Sequence, residues 1–183
     1  MSKHLVTKFA AVVAASGLAT LSFAGIASAK SGSAGSDLSF AASHDGASAG
    51  WSAGKGSAID LTLGSNPATT FAEVVLHLPA SAVQGLAEPE FATNNYNSGS
   101  PRWYITLNNG DTLWGYPPNS GLNGGTDFAW AINNGNTYVS WSTVQSDEGS
   151  AKVKGAWVIA DGDQSPGTTD VITGLTFGNV TYN

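Results

Sequence analysis

The sequence has no cysteine and few charged residues. Cysteine is absent from all 183 positions, and Asp, Glu, Lys and Arg together make up 11% of them. Without disulfides or thiolate metal sites, a stable domain has to depend on its buried core, which a chain of this length can build. Seven residues are Lys or Arg and thirteen are Asp or Glu. Binding to nucleic acid or to anionic lipid needs clustered positive charge, so neither partner is expected.

The first 29 residues have the pattern of a secretory signal peptide. Lys3 and Lys8 precede an Ala-rich apolar run, and Ala27-Ser28-Ala29 forms a small-x-small cleavage site. The run approaches the length of a membrane anchor, but its glycines and the cleavage site favour removal. Cleavage would remove two of the seven basic side chains and leave five against thirteen acidic ones, a net charge of minus eight. We therefore expect a secreted, extracellular protein with no membrane contact after cleavage, a flexible leader at residues 30–36 and one domain at residues 37–183.

Two similar stretches between Trp103 and Trp141 predict β-hairpins. WYITLNNGDTLWGY and FAWAINNGNTYVSW each place Asn-Asn-Gly between segments of alternating apolar residues, and Asn-Gly is the strongest short-range hairpin signal. We take Asn109-Gly110 and Asn134-Gly135 as two-residue loops. Period-2 alternation then places Tyr104 and Tyr138 on a lighter, mostly polar face. The residues predicted on the opposite, core face are Trp103, Ile105, Leu107, Thr112, Trp114 and Tyr116, and then Phe128, Trp130, Ile132, Val139 and Trp141.

The rest of the chain reads as short strands separated by turns. Alternation predicts strands at 37–42, 57–63, 71–78, 153–160 and 171–182, one helical turn within 79–86, and loops at 44–55 and 88–101. About nine strands and no long helix predict an all-β protein, an antiparallel β-sandwich or jelly roll.

The sequence offers no motif for catalysis. It has no Gly-x-Ser-x-Gly elbow, and only His44 and His77 remain beyond the signal segment. A glycosidase needs two carboxyl groups flanking the scissile bond. Glu73 is predicted on the outward face of its strand, but its same-face neighbour His77 lies about 13 Å along the strand. A binding role is therefore favoured over an enzymatic one, a carboxyl pair assembled across separate elements stays open, and no catalytic residue is assigned.

The segment ADGDQSPGTTD is a candidate calcium loop. Asp161, Asp163 and Asp170 could supply carboxylate oxygens, but the segment lacks the ligand spacing of a twelve-residue calcium loop. Turns favour Asp and Gly for conformational reasons of their own. We therefore predict no cofactor, with structural calcium as the alternative.

The tyrosines are the best candidates for ligand binding. An amphipathic ring with a hydroxyl group, flanked by Asn, Asp and Thr, suits a sugar, because the C–H faces of a sugar stack on the ring while its hydroxyls need fixed partners. Arg102, Tyr104 and Tyr138 are predicted to form the binding platform. The polar rim is predicted from the adjoining loops and comprises Asn95, Tyr96, Asp111 and Tyr116.

The chain beyond the signal segment resembles the small secreted bacterial β-sandwich domains of the carbohydrate-binding-module and lectin type. The resemblance rests on the signal segment, on Trp and Tyr in short strands and on Asn- and Gly-rich loops, and no binding residue is carried over from it. It implies a non-catalytic protein that binds an extracellular polysaccharide or cell-wall glycan. The alternatives are a small secreted glycoside hydrolase on a similar sandwich and a structural cell-surface or matrix protein with an unprotected edge strand.

Overall fold

The protein is an all-β structure of two antiparallel sheets, consistent with the predicted β-sandwich. The computed structural model describes residues 38–96, 101–118, 120, 127–162 and 165–182. The predicted signal peptide and leader lie outside these residues. Within them, no helix is long and apolar enough to cross a membrane.

The larger sheet has six strands, namely β1 (Leu38–Ala42), β4 (Phe71–Leu76), β6 (Arg102–Leu107), β7 (Thr112–Tyr116), β8 (Ala129–Ile132) and β9 (Val153–Asp161). Their order in the sheet is β1-β4-β9-β6-β7-β8. The central pairings join β4 to β9, β9 to β6 and β6 to β7, so segments distant in the sequence become neighbours.

The smaller sheet has five strands, namely β2 (Ser48–Trp51), β3 (Ile59–Thr62), β5 (Glu90–Thr93), β10 (Thr169–Phe177) and β11 (Val180–Tyr182). Four of them lie in the order β11-β10-β3-β2. The remaining strand, β5, also pairs with β10. Strands β2 and β5 lie in segments that we predicted to be loops, because Gly, Ala and Ser in the first and polar residues in the second hid their alternation. Two short 3₁₀ turns, Pro67–Thr69 and Val83–Gly85, complete the connections before β5.

Aromatic rings from both sheets meet in the core. Trp103 of the larger sheet is fully buried, and its ring centroid lies 5.8 Å from that of Phe91 and 5.6 Å from that of Phe177, both in the smaller sheet. The predicted inward residues of β3, β4 and β6 are buried, as alternation requires. The sandwich is therefore held together by large apolar side chains that take the place of disulfides.

The first hairpin forms where predicted, but its register is shifted by one residue. Tyr104 pairs with Trp114, and the backbone amide of Leu107 donates to the carbonyl of Asp111, which makes Asn108-Asn109-Gly110 a three-residue loop. Gly110 has a φ of 98°, the conformation that such a loop requires at its last residue. The shift reverses the faces of β7. Thr112, Trp114 and Tyr116, predicted to face the core, instead lie half-buried on the opposite face, while Leu113 is buried.

The second hairpin is cut short by a helix. Trp130 pairs with Val139 as predicted, but this is an isolated bridge, and the chain then enters helix α1 (Trp141–Glu148). The backbone amide of Thr143 donates to the hydroxyl of Ser140, which caps the helix. Trp141 is buried as predicted, but from a helix and not from a strand. Its indole donates to the carbonyl of Leu86 and fixes the helix to the 3₁₀ turn at Val83–Gly85.

Candidate functional site

A row of three aromatic rings lies on the outer face of the larger sheet, the face turned away from the smaller sheet. Trp157 of β9 pairs with Tyr104 of β6, and Tyr104 pairs with Trp114 of β7, so the three side chains are cross-strand neighbours. The centroid of Tyr104 lies 5.5 Å from that of Trp157 and 4.6 Å from that of Trp114. All three rings are half-buried. We call Trp157, Tyr104 and Trp114 the aromatic row.

Small neighbours and an arginine set the orientation of the rings. A Cβ built on Gly155 would lie 2.7 Å from Cζ3 of Trp157, so this indole rests on the backbone of its own strand where no side chain intervenes. At the other end of the row, the guanidinium carbon of Arg102 lies 5.3 Å from the ring centroid of Trp114, within the range of a cation–π contact. The orientation of the rings in the row is therefore set by contacts within the protein.

Charged and phenolic groups flank the row on one side. Arg102 forms an ion pair with Asp161, the last residue of β9. The ring of Tyr116 meets that of Tyr138 edge-on, with centroids 5.6 Å apart. Burial raises the pKa of Tyr116, and the nearby Arg102 lowers it in part. Four of the seven predicted binding residues, namely Arg102, Tyr104, Tyr116 and Tyr138, are thus linked by these contacts on one face.

The other three predicted residues lie elsewhere. Asp111 is at the tip of the first hairpin, about 10 Å along the strand from Tyr104. Its carboxylate accepts hydrogen bonds of 2.6 Å from the side-chain amides of both Asn109 and Asn133. Asn95 donates to Asp170 of the smaller sheet over 2.8 Å, and Tyr96, which follows it, is 37% exposed. These three residues remain predictions without a structural link to the row.

The candidate calcium ligands have other contacts. Asp161 is paired with Arg102, and Asp170 is fully buried and accepts the hydrogen bond from Asn95. Asp163 lies outside the described residues. Among the residues that the structure describes, no group of three or more His, Asp or Glu side chains could hold a metal ion.

Glu73 is the carboxyl group nearest to the aromatic row that lacks a partner in the described part of the chain. It points to the outer face from β4, as predicted, and its cross-strand neighbours are Ala41 and Ile159. Both neighbours are apolar, and no described side chain donates a hydrogen bond to its carboxylate. Burial therefore raises the pKa of Glu73 to about 7 from its ordinary value of 4.5.

Glu73 should make the stability of the protein depend on pH. The pKa of Glu73 is higher in the folded protein than in the unfolded chain. Its contribution to the free energy of unfolding is therefore fully present below pH 4.5 and is lost as the pH rises to about 7. We expect wild type to lose roughly 1–2 kcal/mol of unfolding free energy from this group across that window, after allowance for solvent.

The measurement is urea unfolding of wild type and Glu73→Gln at several pH values. The glutamine variant cannot ionise, so the difference between the two curves isolates Glu73, and the variant should be the more stable protein above pH 7. Parallel curves would contradict the prediction and would mean that the folded protein leaves this carboxyl fully hydrated.

Three other carboxyl residues line a cleft of about 310 Å³ that does not include the aromatic row. Glu88, Glu90 and Asp127 border it together with Phe91 and Phe128. Burial raises the pKa of Glu88, while a 2.7 Å hydrogen bond from the indole of Trp130 lowers it in part. Because Trp130 is a core residue, this bond holds the carboxylate of Glu88 against the core.

Sequence reasoning missed two members of the aromatic row. The predicted register, with a two-residue loop at Asn109-Gly110, assigns Trp114 to the core, whereas the observed register places it on the outer face. No face is predicted for Trp157 from the sequence. Alternation within β9 does contain the signal for Trp157, because Ala156 and Val158 on either side of it are buried. The class defined by the fold and the outer face is a β-sandwich with an aromatic surface. No protein-family model, curated protein or solved structure matches the chain.

Proposed function

We propose that the protein binds an extracellular polysaccharide or cell-wall glycan on the aromatic row. The observation that carries the proposal is the arrangement of Trp157, Tyr104 and Trp114 on three neighbouring strands. Adjacent strands are about 4.8 Å apart, so the row offers successive stacking surfaces along a line across the sheet. A linear polymer of rings is the ligand that matches such a repeated surface.

The surroundings of the row supply what sugar hydroxyls need. The apolar faces of sugars stack on aromatic rings, and specificity comes from a few fixed polar groups at the edges. Arg102 and Asp161 are held together at one flank, and the phenol groups of Tyr116 and Tyr138 lie beside them. The signal-peptide pattern at residues 1–29 supports a location outside the cell, where such polymers occur.

Removing a flat ring from the row should weaken binding. We expect Trp114→Leu and Trp157→Leu each to lower the affinity for an insoluble polysaccharide about tenfold, since one stacked ring is worth about 1–1.5 kcal/mol. Leucine keeps an apolar side chain and removes the stacking surface. The measurement is depletion of the protein from solution by cellulose, chitin and bacterial cell walls.

Trp51→Leu is the matched control for these variants. Trp51 is also half-buried, but it belongs to β2 of the smaller sheet and meets Phe40 edge-on at 5.7 Å. Its replacement should leave binding unchanged in protein that is still folded. Equal retention of wild type and both row variants, or no retention of wild type by any polysaccharide, would contradict the proposal.

The second candidate function is a glycoside hydrolase, favoured by the position of Glu73 and Asp161. Phe71 pairs with Asp161 and Glu73 with Ile159, so the two carboxyl residues are diagonal neighbours on the outer face. Diagonal positions are about 7–8 Å apart at the base of the side chains, so two carboxyl groups on one face can reach the spacing of about 6.5–9.5 Å that inverting enzymes use. Release of reducing ends that is lost in both Glu73→Gln and Asp161→Asn would establish this function, and its absence in wild type would exclude it.

A further inference from the structure

We infer that the polysaccharide bound by the aromatic row carries primary amines, and that one of these amines pairs with the carboxylate of Glu73. The inference rests on the proposed function and names the chemical class of its ligand. It follows from three observations: the place of Glu73 beside the row, its lack of a partner, and the balance of charge on the outer face.

Glu73 is close enough to the row to contact the same ligand. Val75, two residues further along β4, pairs with Trp157. Glu73 and Trp157 are therefore diagonal neighbours on adjacent strands, about 7–8 Å apart. A sugar stacked on Trp157 would place its ring substituents above Glu73, at the end of the row opposite to Trp114.

Three other carboxylates have partners, whereas Glu73 has none among the described residues. Asp161 is paired with Arg102, Asp111 accepts hydrogen bonds from two asparagines, and Glu88 accepts one from Trp130. Glu73 has apolar neighbours on both adjacent strands. Removing a carboxylate from water without compensation is costly, so a donor brought by a ligand would stabilise it more than it would stabilise the paired groups.

The charge of the outer face selects a cationic donor. The ion pair with Asp161 neutralises Arg102, and Glu73 is the unpaired carboxyl group diagonal to Trp157. The whole chain carries a formal net charge of minus six, which disfavours acidic polysaccharides. A hydrogen bond between an ammonium and a carboxylate is about twice as strong as a neutral one, so an amine-bearing sugar gains more from Glu73 than a hydroxyl does. The half-buried position reduces screening by water and strengthens the pairing further.

The test compares chitosan, which carries free amines, with chitin, in which the amines are acetylated. Near pH 7, where the carboxyl of Glu73 is partly ionised because its pKa is about 7, we expect wild type to bind chitosan particles up to about tenfold more tightly than chitin, the factor expected from one charge-assisted hydrogen bond. Added salt should reduce this preference. Glu73→Gln should lose the preference and keep its binding to chitin, because the aromatic row is unchanged.

Glu90→Gln controls for the general attraction of an acidic protein to a cationic polymer. Glu90 is exposed on β5 of the smaller sheet, and its replacement removes the same charge. It should retain the preference for chitosan. The inference is overturned if wild type binds both polymers equally, if Glu73→Gln keeps the preference, or if Glu90→Gln loses it to the same extent. Absence of binding to either polymer and to all others would overturn the proposed function as well, so the two failures are distinguishable.

Discussion

Replacing Trp103 by alanine is expected to lower the free energy of unfolding by about 3–5 kcal/mol, the range for truncating a large aromatic residue in a core. The indole has no exposed surface and is in contact with Phe91 and Phe177 across the sandwich. Because the chain contains no cysteine, this interface is not backed by a covalent cross-link. Urea unfolding followed by circular dichroism measures the loss, since the change in midpoint reports stability at a constant slope.

Trp103→Phe separates packing from hydrogen bonding at the same position. The indole nitrogen of Trp103 is buried without a hydrogen-bond partner in the part of the chain that the structure describes. Phenylalanine removes this donor and retains most of the ring, so part of the packing loss is offset and we expect a cost of about 1–2 kcal/mol. A cost for Trp103→Ala as small as that for Trp103→Phe would contradict the central position of this ring in the core.

The fold class could be predicted because alternation survives in most strands, whereas the faces of β7 could not. Asn-Asn-Gly permits either a two-residue loop at Asn109-Gly110 or a three-residue loop that ends at Gly110, and the two differ by one residue of register. The segment TLWGY is apolar in both parities, so the local pattern does not choose between them. The choice is made by packing, because Trp130 fills the space over Gly115 only when Gly115 faces the core.

The same motif folds differently at its second occurrence. Asn133 and Asn134 have φ values of 54° and 53°, and the predicted pairing of Trp130 with Val139 is present. The strand nevertheless ends there because Ser140 caps a helix. Trp141, Val144 and Gln145 have helical spacing, and Gln145 donates a 2.9 Å hydrogen bond to the carbonyl of Leu86. Ser140 is a residue type that favours the start of a helix, so the sequence permits either a helix or a continuing strand after Val139. Contacts with residues distant in the sequence, such as Leu86, decide for the helix.

The candidate site depends on strand order, which short-range patterns do not contain. Alternation placed Tyr104 and Glu73 on outward faces, and the structure agrees for both. The row requires β9 to lie between β4 and β6, which brings Trp157 beside Tyr104 although the two are separated by more than fifty positions. The sequence therefore predicts the outward side chains of Tyr104 and Glu73 one by one. It does not predict that Trp114 and Trp157 lie beside Tyr104 and form a continuous aromatic surface with it.

Gly115→Ala should lower stability and leave binding unchanged, whereas Gly155→Ala should lower binding and leave stability nearly unchanged. The reason is that the two glycines lie under different tryptophans. A Cβ built on Gly115 would lie 2.6 Å from Cζ3 of Trp130, a fully buried ring with no room to move. We expect this overpacking to cost about 3 kcal/mol of unfolding free energy, the upper part of the usual range. It should leave the affinity of the folded protein for polysaccharide unchanged.

At Gly155 the clashing ring is Trp157, which is half-buried on the outer face and can turn away. Alanine also lowers the backbone-entropy cost of folding by roughly 0.5–1 kcal/mol, so the net change in stability should be below about 1 kcal/mol. Turning Trp157 away interrupts the aromatic row, and binding to polysaccharide should fall about as far as in Trp157→Leu. Urea unfolding measures the stability of each variant, and depletion by polysaccharide measures its affinity. If Gly155→Ala bound as wild type does while a crystal structure of the variant showed the Trp157 ring displaced, the row would not be the binding surface.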